Sequence, residues 1–217
     1  MKIKILLIIF IPFLLINIAS AHQPRLVYNL ENSQDNPIII EEPEISKAYY
    51  GELKGKPDYY LIESEEGFNF YLSLLSPDLK DSKTDFSAEV VSDNIVLFVL
   101  NKSQEEWEAF YEEFAGDSYL RGPEIEKTVE SGAYYIKVSN PSNMGKYSLV
   151  VGKLESFPFK EIVKTFVALP KLKKDFFEKS PLTAYFNLMG LFLLIFLVII
   201  IGIVAGIFLL LRNQKNN

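Results

Sequence analysis

The feature that most constrains this chain is an uninterrupted apolar run over residues 188–211, LMGLFLLIFLVIIIGIVAGIFLLL, which ends at Arg212. At a helical rise of about 1.5 Å per residue, the run is about 36 Å long, enough to cross a hydrocarbon core of about 30 Å. In lipid, a single segment satisfies its own backbone hydrogen bonds only as a helix. The sequence therefore predicts a transmembrane helix over residues 186–211, anchored from Leu188 to Leu211, and a cytoplasmic tail over 212–217.

Residues 1–21 have the pattern of a secretory signal peptide. Two lysines precede an apolar stretch, and Ala19 and Ala21 have the small-residue spacing of a cleavage site. The alternative is a retained N-terminal anchor, but the apolar stretch is short and broken by Pro12, which favours cleavage after Ala21. We therefore predict a single-pass protein of the cell membrane whose N-terminal domain lies outside the cytoplasm.

Loop charge alone favours the opposite orientation. Four lysines lie shortly before the apolar run, whereas only Arg212 and Lys215 follow it. We expect the signal peptide to decide the orientation, because a cleavable signal commits the following domain to translocation.

The segment between the two apolar regions is acidic. Residues 22–156 hold 25 Asp and Glu against 12 Lys and Arg, a net charge of −13, whereas residues 157–180 hold 3 against 6, a net charge of +3. Nucleic-acid binding needs a basic footprint, so this class is excluded. The chain has no cysteine, which excludes disulfides and thiolate sites and favours a prokaryotic envelope over a eukaryotic cell surface.

Alternating apolar and polar residues dominate the acidic segment and predict β-strands. Turn residues bound eight of them, over 46–53, 58–64, 67–75, 86–91, 94–100, 123–129, 132–139 and 145–152. Short strands at this spacing predict a mainly β fold, an antiparallel β-sandwich or jelly roll, over residues 46–156. Residues 22–45 are predicted to be an irregular N-terminal extension in which Ile38, Ile39 and Ile40 form a candidate edge strand.

One short helix is predicted inside the sandwich, near 103–115. Ser103 and Glu106 match a capping box, and Gly116 supplies a stop signal. Aromatic residues follow the cap at helical spacing, namely Trp107, Phe110, Tyr111 and Phe114.

A basic amphipathic stalk is predicted over residues 157–181, between the sandwich and the membrane. Apolar residues at helical spacing alternate with lysines, and Phe176 and Phe177 lie within the lysine-rich end. Such a helix can lie in the headgroup layer of the membrane or pack against the underside of its own domain. The adjacent anchor favours the membrane surface.

Residues 46–75 and 131–152 resemble the bacterial pre-peptidase C-terminal domain, a jelly-roll β-sandwich that accompanies many secreted enzymes. The resemblance rests on GAYYIKV at 132–138, GKYSL at 145–149 and the turn and alternating strand after Pro57. It implies a non-catalytic accessory or ligand-contacting module. Some relatives bind calcium, but their ligand positions have no residue-by-residue match here, and the predicted helix has no counterpart in the short family members.

No catalytic residues or cofactor site are predicted. The only histidine, His22, lies at the expected new N-terminus, where we expect flexibility, so a Ser-His-Asp or Cys-His arrangement has no positioned imidazole. Acidic pairs are numerous but lie in polar contexts where solvation is the default. A loop with Asp78, Asp81 and Asp85 is a weak calcium candidate, since its spacing matches no EF-hand.

These observations leave three hypotheses for function. The first is a non-enzymatic interaction or accessory module at the cell surface, with an envelope protein or glycan as partner. The second is a surface hydrolase, active on carbohydrate, that uses a carboxylate pair in a cleft. The third is a component of an oligomeric membrane complex that acts through stalk and anchor, where Gly202 and Gly206 permit a homodimer through close helix packing.

Overall fold

Two β-sheets organise the computed structural model, which describes residues 22–101, 103 and 106–215. The described strands are β1 (Gln23–Leu26), β2 (Ile38–Ile39), β3 (Lys47–Lys54), β4 (Asp58–Ser64), β5 (Phe68–Pro77), β6 (Ser87–Ser92), β7 (Ile95–Leu100), β8 (Glu108–Glu112), β9 (Asp117–Val129), β10 (Gly132–Ser139) and β11 (Met144–Val151). Two α-helices follow, α1 (Phe159–Asp175) and α2 (Leu188–Lys215), with a 3₁₀ helix at Pro181–Tyr185 between them. The predicted cleavage site at Ala19 and Ala21 lies outside the described residues.

The strand order makes the fold a mainly antiparallel β-sandwich. The six-stranded sheet has the order β1-β3-β11-β5-β9-β8, and the five-stranded sheet has the order β2-β4-β10-β6-β7. Two pairings at the edges are parallel, β1 with β3 and β2 with β4. The sequence prediction of a mainly β sandwich followed by a long apolar helix is therefore confirmed.

In the six-stranded sheet, the period of two directs alternate side chains into two separate cores, one on each face. Between the sheets, Tyr60, Tyr147, Phe70 and Leu72 are fully buried in the larger hydrophobic cluster. On the outer face of the six-stranded sheet, a second cluster joins strand residues to α1 and to the segment that follows it. The sandwich thus has one covered outer face, over the six-stranded sheet.

Three polar groups line up where the two sheets meet. The Tyr147 hydroxyl donates to Asp58 Oδ2 at 2.6 Å and accepts from the Tyr60 hydroxyl at 2.7 Å. Burial raises the pKa of Asp58, and the bond from Tyr147 opposes that shift. The three groups thus satisfy one another, as buried polar groups in a core must.

The predicted helix near 103–115 is wrong. Ser103 donates from its backbone N and its hydroxyl to Glu106 Oε2, at 2.9 and 2.7 Å, as in the predicted cap. However, Glu108–Glu112 is strand β8 and pairs with β9 along its whole length. Gly116, at φ +73°, then completes the turn into β9.

Long-range pairing explains this correction, because it outweighs a local helical pattern. Trp107 packs into the inter-sheet core above Gly122, where an added Cβ would lie 2.5 Å from the indole ring. Phe110 stacks under the Arg121 guanidinium, 3.9 Å from the ring centre. Both contacts need residues of β9, which a helix at 103–115 would not place beside them.

The N-terminal extension is more ordered than its sequence indicates. Its first residues form β1, which pairs in parallel with β3, and the predicted edge strand at Ile38 and Ile39 is β2. The His22 Nδ1 atom lies within hydrogen-bonding distance of the Ser46 hydroxyl. His22 is therefore held against the sandwich, in contrast to the flexible terminus we expected.

We predict that His22 makes the stability of the full chain depend on pH. Burial lowers the pKa of His22 from 6.5 to about 4, so the unfolded state binds more protons between those values. The free energy of unfolding therefore rises with pH across this window and falls on acidification, by about 3 kcal/mol at most. Urea unfolding at pH 7 and pH 4.5, followed by the fluorescence of the single tryptophan, should show a smaller pH dependence in His22→Gln than in wild type. An equal pH dependence in the two proteins would contradict this prediction.

Helix α1 packs on the outer face of the six-stranded sheet. Leu169 and Leu172 are buried in the second cluster, as are Phe176 and Phe177 just beyond the helix. Of the two sequence-based interpretations of the stalk, packing on the underside of the domain is therefore observed for this face. The opposite face of α1 remains exposed and is considered below.

Helix α2 contains a stretch, Leu188–Phe208, that is long and apolar enough to cross a membrane, which is the property predicted for the anchor. At Gly202 and Gly206 an added Cβ would have no neighbour within 4 Å in the described chain. The two glycines are thus free to face a second helix, and the homodimer through them stays a prediction.

Candidate interaction site

A cavity of about 500 Å³ lies between the outer face of the six-stranded sheet and α1. Its floor includes Ala48, Val150 and Ser73, which are register partners on three adjacent strands. Small side chains in one row leave space beneath the helix, and Leu169 and Leu172 close the space from above. The cavity is concave and partly apolar, as the hydrolase hypothesis requires. That hypothesis also requires two carboxylates that face each other across the cavity.

Each carboxylate that lines the cavity has a partner. Glu112 accepts from the backbone N atoms of Phe114 and Ala115, both at 2.8 Å, and burial raises its pKa. Asp117 accepts from two lysines, and Glu124 Oε2 accepts from the Tyr71 hydroxyl at 2.9 Å. These groups hold the turn and the sheet together, so the cavity does not favour a carboxylate-pair mechanism.

The calcium candidates lie in the loop between β5 and β6. In the described part of the chain, no three His, Cys, Asp or Glu side chains are grouped so that they could hold a metal ion. Asp78 and Asp81 are exposed, whereas Asp85 Oδ1 accepts from Asn140 Nδ2 at 3.1 Å. Calcium binding by Asp78, Asp81 and Asp85 therefore stays a prediction.

A buried ion cluster fixes the helical segment to the turn between β8 and β9. Asp117 Oδ2 is 2.6 Å from Lys173 Nζ, and both side chains are 1% exposed. The other oxygen, Oδ1, is 2.9 Å from Lys179 Nζ at the edge of the cluster. Lys173 also donates to the carbonyl oxygen of Ala115 at 2.5 Å. One aspartate thus ties α1 and the residues after it to the sandwich.

The same turn contacts the beginning of α2. Asn187 Nδ2 donates to the Ala115 carbonyl at 2.7 Å, and the backbone N of Met189 donates to the Phe114 carbonyl at 3.2 Å. The rings of Phe114 and Phe192 are 6.1 Å apart. The first turn of the apolar helix is therefore attached directly to the β-sandwich. We call this set of contacts, together with the Asp117 ion cluster, the junction.

The four sheet edges differ in how they discourage pairing with another strand. Natural edges are blunted by charge, proline or shortness. β1 contains Pro24 and Arg25, β2 is two residues long, and β8 begins and ends with glutamate. β7 reads IVLFVL and has neither a charge nor a proline. Within the described residues no strand lies beyond β7.

β7 exposes large aliphatic side chains along its length. Ile95, Val96, Leu97 and Val99 are between 44% and 64% exposed, while Phe98 points inward and packs edge-to-face on Phe70. The register shifts between Val90 and Val91, and as a result the consecutive residues Val96 and Leu97 of β7 both face solvent. Among the described residues only β6 pairs with β7, so its other side offers backbone groups for pairing together with an apolar surface.

An apolar row extends from β7 across the outer face of the five-stranded sheet. Its members are successive register partners on β7, β6, β10, β4 and β2, namely Val96, Val91, Tyr135, Leu61 and Ile39. Val96, Tyr135 and Ile39 are 51%, 40% and 53% exposed, whereas Leu61 is only 8% exposed, so the row is open to solvent at its two ends and at Tyr135. We refer to β7 and this row together as the β7 surface.

The β7 surface was not predicted as a site, although the strand at 94–100 was. The run IVLFVL indicates only a buried or half-buried strand, since sequence does not say which strand ends a sheet. Its lack of charge was the available signal. That signal becomes informative only once the topology places β7 at an edge.

The comparisons with known proteins are limited to fold. No protein-family model and no curated protein matches the sequence. Among solved structures, the chain is similar to the pre-peptidase C-terminal domain of collagenase from Bacillus anthracis, with 13% identity and a TM-score of 0.37 over 56% of this chain and 98% of that one. It is also similar to the insecticidal crystal protein Cry2Aa, with 9% identity and a TM-score of 0.28 over 56% of this chain and 24% of that one. A β-glucosidase from Paenibacillus barengoltzii matches at 10% identity and a TM-score of 0.26, over 59% and 13%.

Proposed function

We propose that this protein is a non-enzymatic interaction module of the cell envelope, anchored by α2, whose β7 edge takes up an extended segment of another envelope protein. The observation that carries the proposal is the contrast between the four edges. Three of them are blunted, while β7 is apolar and uncharged. An unpaired edge of this kind binds a peptide through backbone hydrogen bonds, and side-chain pockets add specificity.

The surface chemistry indicates the character of the partner. The aliphatic side chains of Val96 and Val99 offer no hydrogen bonds to sugar hydroxyls, which favours a protein over a glycan. A bound strand with alternating apolar residues would continue the apolar row that reaches Tyr135. The partner segment is therefore extended, with one apolar face.

Charge favours a partner other than a second copy of this chain. Residues 22–156 have a net charge of −13, so two copies of the domain repel each other, although salt weakens this effect. A neutral or basic segment is attracted to the same surface and is guided towards it. We therefore assign a basic or neutral strand as the occupant.

The membrane anchor and the junction support this role. A module joined directly to its anchor keeps its binding edge close to the membrane, at an orientation that follows the anchor helix. The predicted signal peptide supports a position of the domain outside the cytoplasm. Anchoring both proteins in one membrane restricts their search for each other to two dimensions.

The test is a photo-crosslinking amino acid at Ile95 in the full chain, in intact membranes. We expect one discrete adduct whose partner peptide, identified by mass spectrometry, is an extended segment with alternating apolar residues and no net negative charge. Adding Val99→Lys, which places a charge on the edge, should abolish the adduct. The matched control is Tyr111→Lys on the blunted edge β8, where Tyr111 is 59% exposed, and it should leave the adduct intact.

Three outcomes would contradict the proposal. They are the absence of a protein adduct, an adduct that persists in Val99→Lys, and a product of about twice the mass of this 24.8 kDa chain. The last outcome would identify a second copy as the occupant and would support the oligomeric hypothesis instead.

A further inference from the structure

Helix α1 has two apolar faces, and only one of them is used by the fold. Leu169 and Leu172 face the six-stranded sheet and are buried. Phe159, Val163 and Val167 follow one another at intervals of four residues and form a stripe on the outside, 79%, 46% and 74% exposed. Residues at this interval share one helix face, so the stripe is continuous over the first half of α1.

Lysines accompany the stripe. The exposed lysines of α1 are Lys160, Lys164, Lys171 and Lys174. Lys164 Nζ contacts Glu161 Oε1 at 2.6 Å, and Lys171 Nζ lies 5.7 Å from the centre of the Tyr28 ring. Lysines beside an apolar stripe can reach lipid phosphates while their methylene stems cover apolar surface.

The stripe continues towards the anchor. Leu182 and Phe186, in the short connection before α2, are 68% and 83% exposed. The 3₁₀ helix that contains Leu182 packs against α1, and the Tyr185 hydroxyl donates to the Phe166 carbonyl at 3.3 Å. α1 and the connection therefore pack together as one unit, and their exposed apolar residues lie directly before α2 in the chain.

We propose that the outer face of α1 lies on the surface of a bilayer that contains anionic lipid, with the stripe in the headgroup layer and the lysines on the lipid phosphates. Continuity with α2 identifies the occupant as the membrane. Residues 157–180 have a net charge of +3, which is attracted to anionic lipid, whereas residues 22–156 have a net charge of −13, which favours solvent.

This inference joins two interpretations of the stalk that the sequence presented as alternatives. One face of α1 packs on the domain and the other contacts lipid. α1 then lies between the sandwich and the membrane and contacts both. Neither the anchor nor the β7 surface requires this arrangement. The site is independent of the proposed β7 partner, and its failure would leave that proposal in place.

The test uses spin labels on the full chain in lipid vesicles. The sequence contains no cysteine, so Val167→Cys accepts a single nitroxide, and Lys56→Cys in the exposed turn before β4 is the matched control. We expect the Val167 label in phosphatidylcholine–phosphatidylglycerol vesicles to be several-fold more accessible to oxygen than to a water-soluble nickel chelate, relative to the control label. The emission of Trp107 should be unchanged in both variants, which shows that the sandwich is folded.

The charge component is tested in the same vesicles. Replacing Lys160, Lys171 and Lys174 together by glutamine should move the Val167 label towards water in anionic vesicles and have little effect in pure phosphatidylcholine. A Val167 label that is as water-accessible as the Lys56 label in both lipids would overturn the proposal. A label that is immersed equally with and without the lysines would overturn its anionic-lipid component. A Val167 label that is protected in native membranes but accessible to water in vesicles of the purified protein would identify an acidic protein surface as the occupant.

Discussion

Replacing Asp117 by alanine is expected to lower the free energy of unfolding of the full chain in detergent by about 3–5 kcal/mol. Asp117 contacts Lys173 at 2.6 Å and Lys179 at 2.9 Å, and its side chain is 1% exposed. Burial lowers the pKa of Lys173, while the hydrogen bond and attraction to Asp117 oppose that shift. Without the aspartate, the Lys173 ammonium group stays buried without its ion-pair partner, with only the more distant charge of Glu112 to stabilise it, or loses its proton at a cost in free energy.

Two controls make this expectation specific. Asp81→Ala removes an exposed carboxylate from a loop and should change stability by no more than about 0.5 kcal/mol. The double variant Asp117→Leu, Lys173→Met replaces the buried pair by apolar groups and should recover much of the loss, since such replacements are often neutral. Urea unfolding monitored by Trp107 fluorescence measures all three variants. A loss in Asp117→Ala no larger than that in Asp81→Ala would show that the pair does not hold the junction.

Phe176→Ala should be nearly as damaging, with an expected loss of about 3–5 kcal/mol. Phe176 is 1% exposed and packs edge-to-face on Tyr50 and Phe177, with ring centres 4.9 and 5.1 Å apart. Its removal leaves a cavity beneath the segment that joins α1 to α2. We expect a lower stability in urea and new protease cleavage after Lys171 and Lys174, because α1 separates from the sheet.

Phe186→Ala is the matched control, since Phe186 lies ten residues further along the same segment and is 83% exposed. Its stability and its cleavage pattern should both match those of wild type. If Phe176→Ala behaved like this control in both measurements, the second hydrophobic cluster would contribute little to docking α1.

Most of the sandwich could be predicted from the sequence because the strands carry their own period. The predicted strand at 58–64 coincides with β4, and the one at 132–139 with β10. Alternation fixes which side chains face the core in β10, whereas β4 buries three residues in a row, Tyr60, Leu61 and Ile62. The long apolar helix α2 was equally predictable, because an apolar run of this length has few alternatives.

The failure at 103–115 has a physical cause. One bond of the capping box forms, from the backbone N of Ser103 to Glu106 Oε2, so the local signal was real. The residues after it instead pair with β9 through contacts between residues distant along the chain, and a pattern in the sequence does not report those. A single sequence therefore indicates the local structure that a segment favours by itself. Here the segment favours a helix, and tertiary pairing with β9 makes it a strand.

The junction was also beyond sequence reasoning. Lys173 belongs to a run of lysines that is typical of a solvated helix face, yet it is fully buried. Its partner Asp117 lies 56 residues earlier, within an acidic region where solvation was the default expectation. Likewise, the β7 surface depends on strand order, which the eight predicted strands did not determine.

The direct attachment of α2 to the sandwich has a consequence for membranes of different thickness. Where the hydrocarbon core is thinner than the apolar part of α2 that is free of the sandwich, the mismatch is relieved by tilting the helix. Because Asn187 and Met189 bind the turn before β9 without an intervening linker, the domain leans with the helix. A thicker bilayer would then stand the protein more upright and a thinner one would lay it down, so bilayer thickness itself would set the angle at which β7 meets its neighbours.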